Sequence, residues 1–147
     1  MNTLLTTLED NKWLSISQQE RRDYIDALEV SCKTLPDGKD DILIRDHFSV
    51  GVYLREGLIP KGFLIIGEIH KYDHLNILVS GTIRIATETG VKTYIGPTVF
   101  ESSAGTKKAG ICLEEAIFMT VHKTDLKDAD KVREEHTLKE HIPLIEG

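Results

Sequence analysis

Three side chains that can bind a metal ion lie within seven positions of one another, inside the segment Gly67–Gly81. Glu68 and His70 are two residues apart, so on a β-strand both side chains leave the same face. Residues 71–73 can turn the chain, and His74 then begins a second strand. All three side chains can therefore point into one cavity. A carboxylate with two imidazoles suits a divalent Fe, Mn, Ni or Zn ion and leaves coordination positions open for a ligand.

Nearby polar residues extend this candidate site. Tyr72 lies in the predicted turn, and Asn76 shares strand parity with His74, so both are candidates for binding a small molecule. His122 ends the last predicted strand and is a second-rank candidate that could lie near the mouth of a barrel, although an isolated histidine at a strand end is more often a surface residue. The chain has no nucleophile elbow, no paired-histidine zinc motif and no dinucleotide fingerprint.

Short strands must position these residues. From Ile42 onward, β-branched runs alternate with Gly and Pro turns, and turns are also predicted at Ser80-Gly81 and Glu114-Glu115. Many short strands with regular turns indicate a β-sandwich or a barrel. The predicted strands lie near 42–45, 50–55, 63–70, 74–79, 82–88, 91–95, 98–101, 107–113 and 116–122.

Two helices flank the predicted strands. Ser17 and Glu20 form a capping box, and apolar residues follow at helical spacing, so we predict an amphipathic helix over 18–33 that covers a sheet. Most of its charged residues, including Arg22, are expected on the solvent side. Thr124-Asp125 is predicted to cap a short second helix.

Composition limits the function classes. The chain has 147 residues with 40% hydrophobic and 29% charged content, which suits one soluble domain with a real core. A net charge of −6 argues against nucleic-acid binding, and no apolar run is long enough to span a bilayer. The first residues do not resemble an export signal, and the two distant cysteines are expected to be reduced, so a cytoplasmic location is expected.

The segment Gly67–Gly81 resembles the first motif of the cupin superfamily, in which a His-x-His pair is followed by Glu and then Gly. Glu68 stands where the first His is usual, and His74 stands where Glu is usual. Residues 103–112 are similar to the second motif, but Lys108 occupies the position of the fourth metal ligand.

The resemblance implies an all-β fold: a single cupin barrel (a jelly-roll-like double-stranded β-helix) with an N-terminal amphipathic helix and a short C-terminal helix. One domain is expected overall, with an arm and helix over 1–41, the barrel over 42–123, and a C-terminal helix and tail over 124–147. Cupin barrels usually associate, so a homodimer or higher oligomer is expected.

The run from His47 to Leu126 also resembles small cupin-like proteins of tailed phages and prophages, which have no established activity. The matching phrases include IPKG, IIGEIHKYDHLNILVSG and AGTKKAG. This resemblance implies a phage-encoded protein acting in the cytoplasm of a bacterial host.

The position of Lys108 leaves two kinds of site open, one with a metal ion and one without. An inward ammonium at this position can pair with Glu68 and replace the charge of a metal ion, so the site holds either one divalent metal or none. Lys107 and Lys108 are adjacent, and only one of them can face the cavity if they lie on a strand. Alignment with the second motif favours Lys108.

The leading functional hypothesis is a small-ligand-binding cupin with its pocket at Glu68, His70, His74 and Lys108. Such a protein could sequester a metabolite or a host signalling molecule, or serve as an accessory virion or assembly protein. The alternative is a metal-dependent enzyme of the isomerase or dioxygenase type, with the metal on Glu68, His70 and His74. A third hypothesis is a structural subunit with an inert pocket.

Overall fold

The computed structural model describes residues 15–33 and 42–138, with the backbone alone over 28–33. The predicted N-terminal arm and the tail after Leu138 lie outside the described residues. The elements in chain order are helix α1 (Gln18–Lys33), strands β1 (Leu43–Ser49), β2 (Val52–Ile59), β3 (Leu64–Ile66), β4 (Ile69–His70), β5 (His74–Thr87), β6 (Gly90–Ile95), β7 (Thr98–Ser102) and β8 (Lys108–Lys123), helix α2 (Ala129–His136) and strand β9 (Thr137–Leu138).

The described strands form an antiparallel sheet of seven strands in the order β1-β2-β8-β5-β6, with β3 paired to β8 and β7 paired to β5. A second sheet pairs β4 with β9. β5 and β8 have 14 and 16 residues, so each can pair with different partners along its length. The prediction of an all-β barrel with two flanking helices is confirmed.

Gly81 lies at an irregularity inside β5 and not at a turn between two strands. The register of β5 with β8 shifts between Leu78 and Ile83, and Gly81 has a φ of +89°. A β-carbon on Gly81 would lie 2.6 Å from the Cα of Ala116 on β8. The predicted strand break is wrong because glycine tolerates positive φ and close backbone approach, so the strand bulges without losing its partner. β8 likewise continues through the turn predicted at Glu114-Glu115.

The bulge changes which residues of β5 face the barrel interior. Even-numbered residues are buried before it. After it, Ile83 and Ile85 face the interior cluster, whereas Ala86 is buried on the opposite face with Ile25 of α1. One strand therefore supplies polar interior residues at its start and apolar ones towards its end. The buried members of the interior cluster are Ile59, Leu78, Ile83, Ile85, Cys112 and Ala116.

Helix α1 has the bounds that the sequence predicts and covers the opposite face of the sheet. The Ser17 hydroxyl accepts a hydrogen bond from the backbone N–H of Glu20 at 3.1 Å, as expected for an N-cap. Ile25 is fully buried against Ala109 and Ile111 of β8. The helix is therefore fixed by apolar contact along its sheet-facing side.

A buried ion pair also attaches α1 to the barrel. Arg22 Nη1 lies 3.3 Å from Glu88 Oε1, and both side chains are almost fully buried. The backbone N–H of Lys107 donates to the other oxygen of Glu88 at 3.2 Å. The expectation that Arg22 faces solvent is wrong, because a buried carboxylate needs a charged or hydrogen-bonding partner.

Helix α2 begins later than predicted. Asp128 is its N-cap and accepts hydrogen bonds from the backbone N–H groups of Asp130 and Lys131. The Thr124 hydroxyl instead accepts from the Leu126 N–H, which forms a local turn before the helix. Among the described residues, no helix combines the length and apolar content needed to cross a membrane.

We expect Gly81→Ala to destabilise the protein more than Gly51→Ala. Both glycines have positive φ, but no atom lies within 4 Å of a β-carbon built on Gly51. Gly51→Ala should cost about 1–2 kcal/mol for the left-handed backbone, and the clash with β8 should add about 1–3 kcal/mol at Gly81. Urea unfolding of the two variants measures both costs, and equal losses would contradict a close approach of β8 at Gly81.

Candidate metal centre

Three histidines lie together at one end of the barrel interior. The ring centroids of His70 and His74 are 4.3 Å apart, those of His74 and His122 are 4.9 Å apart, and those of His70 and His122 are 5.3 Å apart. One nitrogen of each ring lies within 4.8 Å of the others. This cluster, His70, His74 and His122, is called the histidine centre below.

The register between β5 and β8 brings two of these residues together. Leu75 pairs with Val121, so His74 and His122 are adjacent one position further along the two antiparallel strands. His70 arrives separately on β4, after which the chain turns and enters β5. The three ligands are therefore positioned by two strands of the main sheet and by the short β4.

Interior residues of neighbouring strands continue the row that contains His74 and His122. Ser102 of β7 pairs with His74, and Tyr53 of β2 pairs with His122. The next row inward contains Asn76, Thr120 and Arg55. The row after that is apolar, with Leu78 paired to Phe118. Polar groups therefore occupy one end of the interior above an apolar floor.

All three imidazoles are held neutral. Burial, followed by a neighbouring histidine and then by the Lys108 ammonium, lowers the pKa of His70 to about 4 and that of His74 to about 4. Burial and neighbouring groups lower the pKa of His122 to about 3. Metal ions bind the unprotonated imidazole, so the centre presents its ligands in the correct protonation state at neutral pH.

Several nitrogens of the centre are buried without a hydrogen-bond partner among the described residues. They are both ring nitrogens of His74 and Nδ1 of His122. The Nε2 of His122 lies 3.0 Å from the Thr120 hydroxyl, which can fix the tautomer so that Nδ1 offers its lone pair. Leaving a buried polar atom unsatisfied costs about 1–3 kcal/mol, and coordination of a metal would remove that cost.

The spacing of these nitrogens fits a shared metal ion after small side-chain rotations. Two nitrogens bound to one ion at about 2.1 Å can be at most about 4.2 Å apart. The histidine centre is slightly wider, at up to 4.8 Å. Neutral, converging and partly unsatisfied imidazoles are the donor set that Zn, Ni and Fe accept.

Lys108 faces the histidine centre, in agreement with the alignment to the second cupin motif. Its ammonium donates to the Ser102 hydroxyl at 2.7 Å, and that hydroxyl also accepts from the Asn76 amide at 2.7 Å. Burial lowers the pKa of Lys108 to about 8. The side chain of Lys107 is buried elsewhere, where its backbone N–H binds Glu88.

Glu68 is not grouped with the three histidines. Its carboxylate accepts a hydrogen bond from Arg133 of α2 and forms an ion pair with it. Burial raises the pKa of Glu68, but the hydrogen bond and the charge of Arg133 outweigh that effect and hold the pKa below its usual value. The expected pairing of Glu68 with Lys108 is replaced by separate contacts to Arg133 and Ser102.

The other predicted site residues occupy different surroundings. Asn76 is fully buried in the second polar row, next to the centre. Tyr72 is 53% exposed, and its ring meets the ring of His136 edge-on at a centroid distance of 5.1 Å. His136 is buried, and its ring lies 5.5 Å from that of His122. Tyr72 therefore contacts His136, which lies next to His122, and does not contact the histidine centre itself.

His122 is the member of the centre that the sequence analysis left out of the metal-ligand set and named only as a second-rank candidate. It lies 48 positions after His74, outside any local motif. The signal that could have identified it is strand parity combined with the β5–β8 pairing. A separate groove of about 280 Å³ contains no histidine or carboxylate and is lined by Ile85, Thr87, Thr89, Gly90, Val91, Lys92 and Tyr94.

Comparison with known proteins supports the fold. No family model matches the chain, and no curated protein matches it in sequence. A cupin superfamily protein from Desulfitobacterium hafniense aligns with a TM-score of 0.51 and 14% identity, over 62% of this chain and 84% of that one. KdgF from Halomonas sp. aligns with a TM-score of 0.53 and 12% identity, over 65% of this chain and 89% of that one.

A candidate ethanolamine utilization protein Q from Salmonella typhimurium aligns with a TM-score of 0.50 and 10% identity, over 58% of this chain and 71% of that one. These identities are too low to carry an activity from one protein to another. The architecture is that of a cupin barrel. At the polar end of that barrel, the chain carries a three-histidine centre that could hold a metal ion.

We expect acidification to destabilise the metal-free protein between pH 7 and pH 4. The pKa of His74 is about 4 in the folded chain and about 6.5 when unfolded, so the unfolded state binds more protons in this window. The contribution of His74 to the free energy of unfolding is therefore fully present above pH 6.5 and is lost as the pH falls towards 4. His74 alone should lower the free energy of unfolding by roughly 2 kcal/mol when the pH falls from 7 to 5.

Urea unfolding in EDTA at pH 7 and pH 5 measures this loss. The variant His122→Asn should show a smaller pH dependence than the wild type, because one of the buried imidazoles is removed. A free energy of unfolding that is constant over this range in the wild type would contradict burial of neutral histidines.

Proposed function

We propose that this protein is a cupin that binds a divalent transition metal at His70, His74 and His122 and uses that centre to bind a small molecule. The observation that carries the proposal is the convergence of three neutral imidazoles, several of whose nitrogens are buried without another partner. Three imidazole ligands leave coordination positions for an exogenous group. This ligand set differs from the one expected from sequence, because His122 takes the place of Glu68.

The surrounding residues give this site its selectivity. When bound, a divalent metal acts as a Lewis acid that polarises an oxygen of the ligand. The apolar floor at Leu78 and Phe118 excludes water from the inner side. Ser102 and Asn76 hold the Lys108 ammonium beside the centre, so a ligand there meets a fixed hydrogen-bond donor.

A metal-dependent enzyme of the isomerase or dioxygenase type is the second candidate, and Lys108 favours it. Burial lowers the pKa of its ammonium to about 8, which is close to the range in which a group can donate and accept a proton at neutral pH. In such an enzyme, Lys108 would hold or move a proton at Nζ.

The wider biological role remains a prediction from the sequence resemblance. It includes a phage origin, sequestration of a metabolite or host signalling molecule, and a role as an accessory virion or assembly protein. Association into a homodimer or higher oligomer and a cytoplasmic location belong to the same set. A structural subunit with an inert pocket is distinguished from the proposal by its failure to bind metal.

We expect about one equivalent of metal in protein purified without an affinity tag or reconstituted separately with Fe(II), Mn(II), Ni(II) and Zn(II). His74→Ala and His122→Ala should each lose most of this metal, because each removes one of three ligands. His47→Ala is the matched control, since His47 is exposed and hydrogen-bonded to Glu56. Elemental analysis gives the stoichiometry, and thermal unfolding verifies that each variant folds.

Glu68→Gln separates the two possible ligand sets. Because Glu68 pairs with Arg133, this variant should retain its metal. Loss of metal on Glu68→Gln but not on His122→Ala would support the set expected from sequence and contradict the one proposed here. The absence of metal from the wild type after reconstitution with all four ions would exclude a metal centre.

A further inference from the structure

The Lys108 ammonium supplies a positive charge to one side of the histidine centre. It reaches Ser102, which pairs with His74 across β7 and β5. Its charge contributes to the lowered pKa of all three histidines. The Lys108 side chain is also largely shielded from water, so a counter-charge near it is screened little.

Arg55 supplies a second positive charge from the other side. It follows the interior parity of β2, because Tyr53 pairs with His122 and Arg55 pairs with Thr120. The strand order β7-β5-β8-β2 therefore places Ser102 and Lys108 Nζ on one side of the polar rows and Arg55, one row further in, on the other side. The Arg55 charge acts on His122, yet Arg55 has no hydrogen bond or ion pair within residues 15–33 and 42–138.

Neither cation forms an ion pair with a carboxylate of the described residues. Glu68 is paired with Arg133, and Asp46, which lies opposite Arg55 in the β1–β2 register, accepts the hydroxyl hydrogen bond of Tyr53. The chain as a whole carries a net charge of −6, so a positively charged end of the barrel interior has the opposite sign to the net charge of the protein. The partly buried Lys108 ammonium and the exposed Arg55 guanidinium form no ion pair among the described residues, so each can bind a counter-ion from outside the protein.

We infer that the small molecule bound at this site is a carboxylate anion, held between the Lys108 ammonium and the Arg55 guanidinium. The inference rests on the proposed function, because it names the class of molecule that the same site binds. The guanidinium presents a planar fork that matches a carboxylate, whereas the ammonium acts as a point charge. A metal ion on the three histidines would add further positive charge and favour the same class of ligand.

The test compares carboxylates with their neutral amides on the full chain. Acetate, malonate and succinate are titrated against acetamide, malonamide and succinamide by calorimetry and thermal shift, first with the metal-loaded protein and then with metal-free protein from which the chelator has been dialysed away. At least one carboxylate should bind at least tenfold more tightly than its amide and raise the melting temperature. The preference should weaken as salt concentration increases, because it depends on charge.

Two substitutions and two matched controls locate the effect. Lys108→Met and Arg55→Met should each weaken carboxylate binding at least tenfold. Lys123→Met removes the same charge from the exposed end of the strand that carries Lys108, and Arg45→Met removes it from the outward face of β1, so both should stay within twofold of the wild type. Arg55 is exposed, so Arg55→Met remains informative even if Lys108→Met does not fold.

Metal content is measured on every sample, so that the two proposals can fail separately. If the protein takes up no metal on reconstitution but binds carboxylates in a way that depends on Lys108 and Arg55, the anion site is supported and the metal centre is rejected. A metal-loaded protein that binds the carboxylates and amides equally, or binds none of them, overturns the anion site and leaves the metal centre intact. Equal binding by the two variants and their controls also overturns it.

Discussion

The antiparallel pairing of β5 with β8 is the constraint on which the rest of the structure depends. It places His74 beside His122 at one end and buries Ile83 against Cys112 at the other. The irregularity at Gly81 reverses the parity of β5 between these two regions. A strand without this bulge would carry either its polar or its apolar residues to the wrong face, because a one-residue shift exchanges the two faces of a strand. The site and the core therefore share one register.

Burial explains most of the chemistry of the histidine centre. An imidazole in a region of low dielectric gives up its proton readily, and the charges of Lys108 and Arg55 act in the same direction. The resulting neutral rings cannot repel one another, which allows centroid distances of 4.3 to 5.3 Å. Glu68 raises the pKa of His70, but burial, His122 and Lys108 outweigh its effect. The three ligands are therefore neutral although a carboxylate lies nearby.

Local patterns predicted local features well. The capping box at Ser17 located the start of α1, and strand parity placed His74 and Asn76 on the interior face. The resemblance to the second cupin motif located Lys108 correctly. Features that depend on distant pairing could not be predicted in the same way. His122 enters the centre only through the register of β8, and Glu68 is taken by Arg133 on a helix that begins 61 residues later in the chain. A periodicity in the sequence carries no information about such partners.

The C-terminal segment determines how firmly the third histidine is held. His70 lies on β4, whose two register pairs are both made with β9. The same segment brings Arg133 to Glu68 and the ring of His136 to His122, and the Lys71 N–H donates to the His136 carbonyl at 2.7 Å. His74 and His122, by contrast, are fixed within long strands of the main sheet. The position of His70 is therefore coupled to docking of α2 and β9, and thermodynamic linkage makes that coupling reciprocal. Any ion or ligand that requires His70 in place must stabilise the docked C-terminal segment by the same free energy.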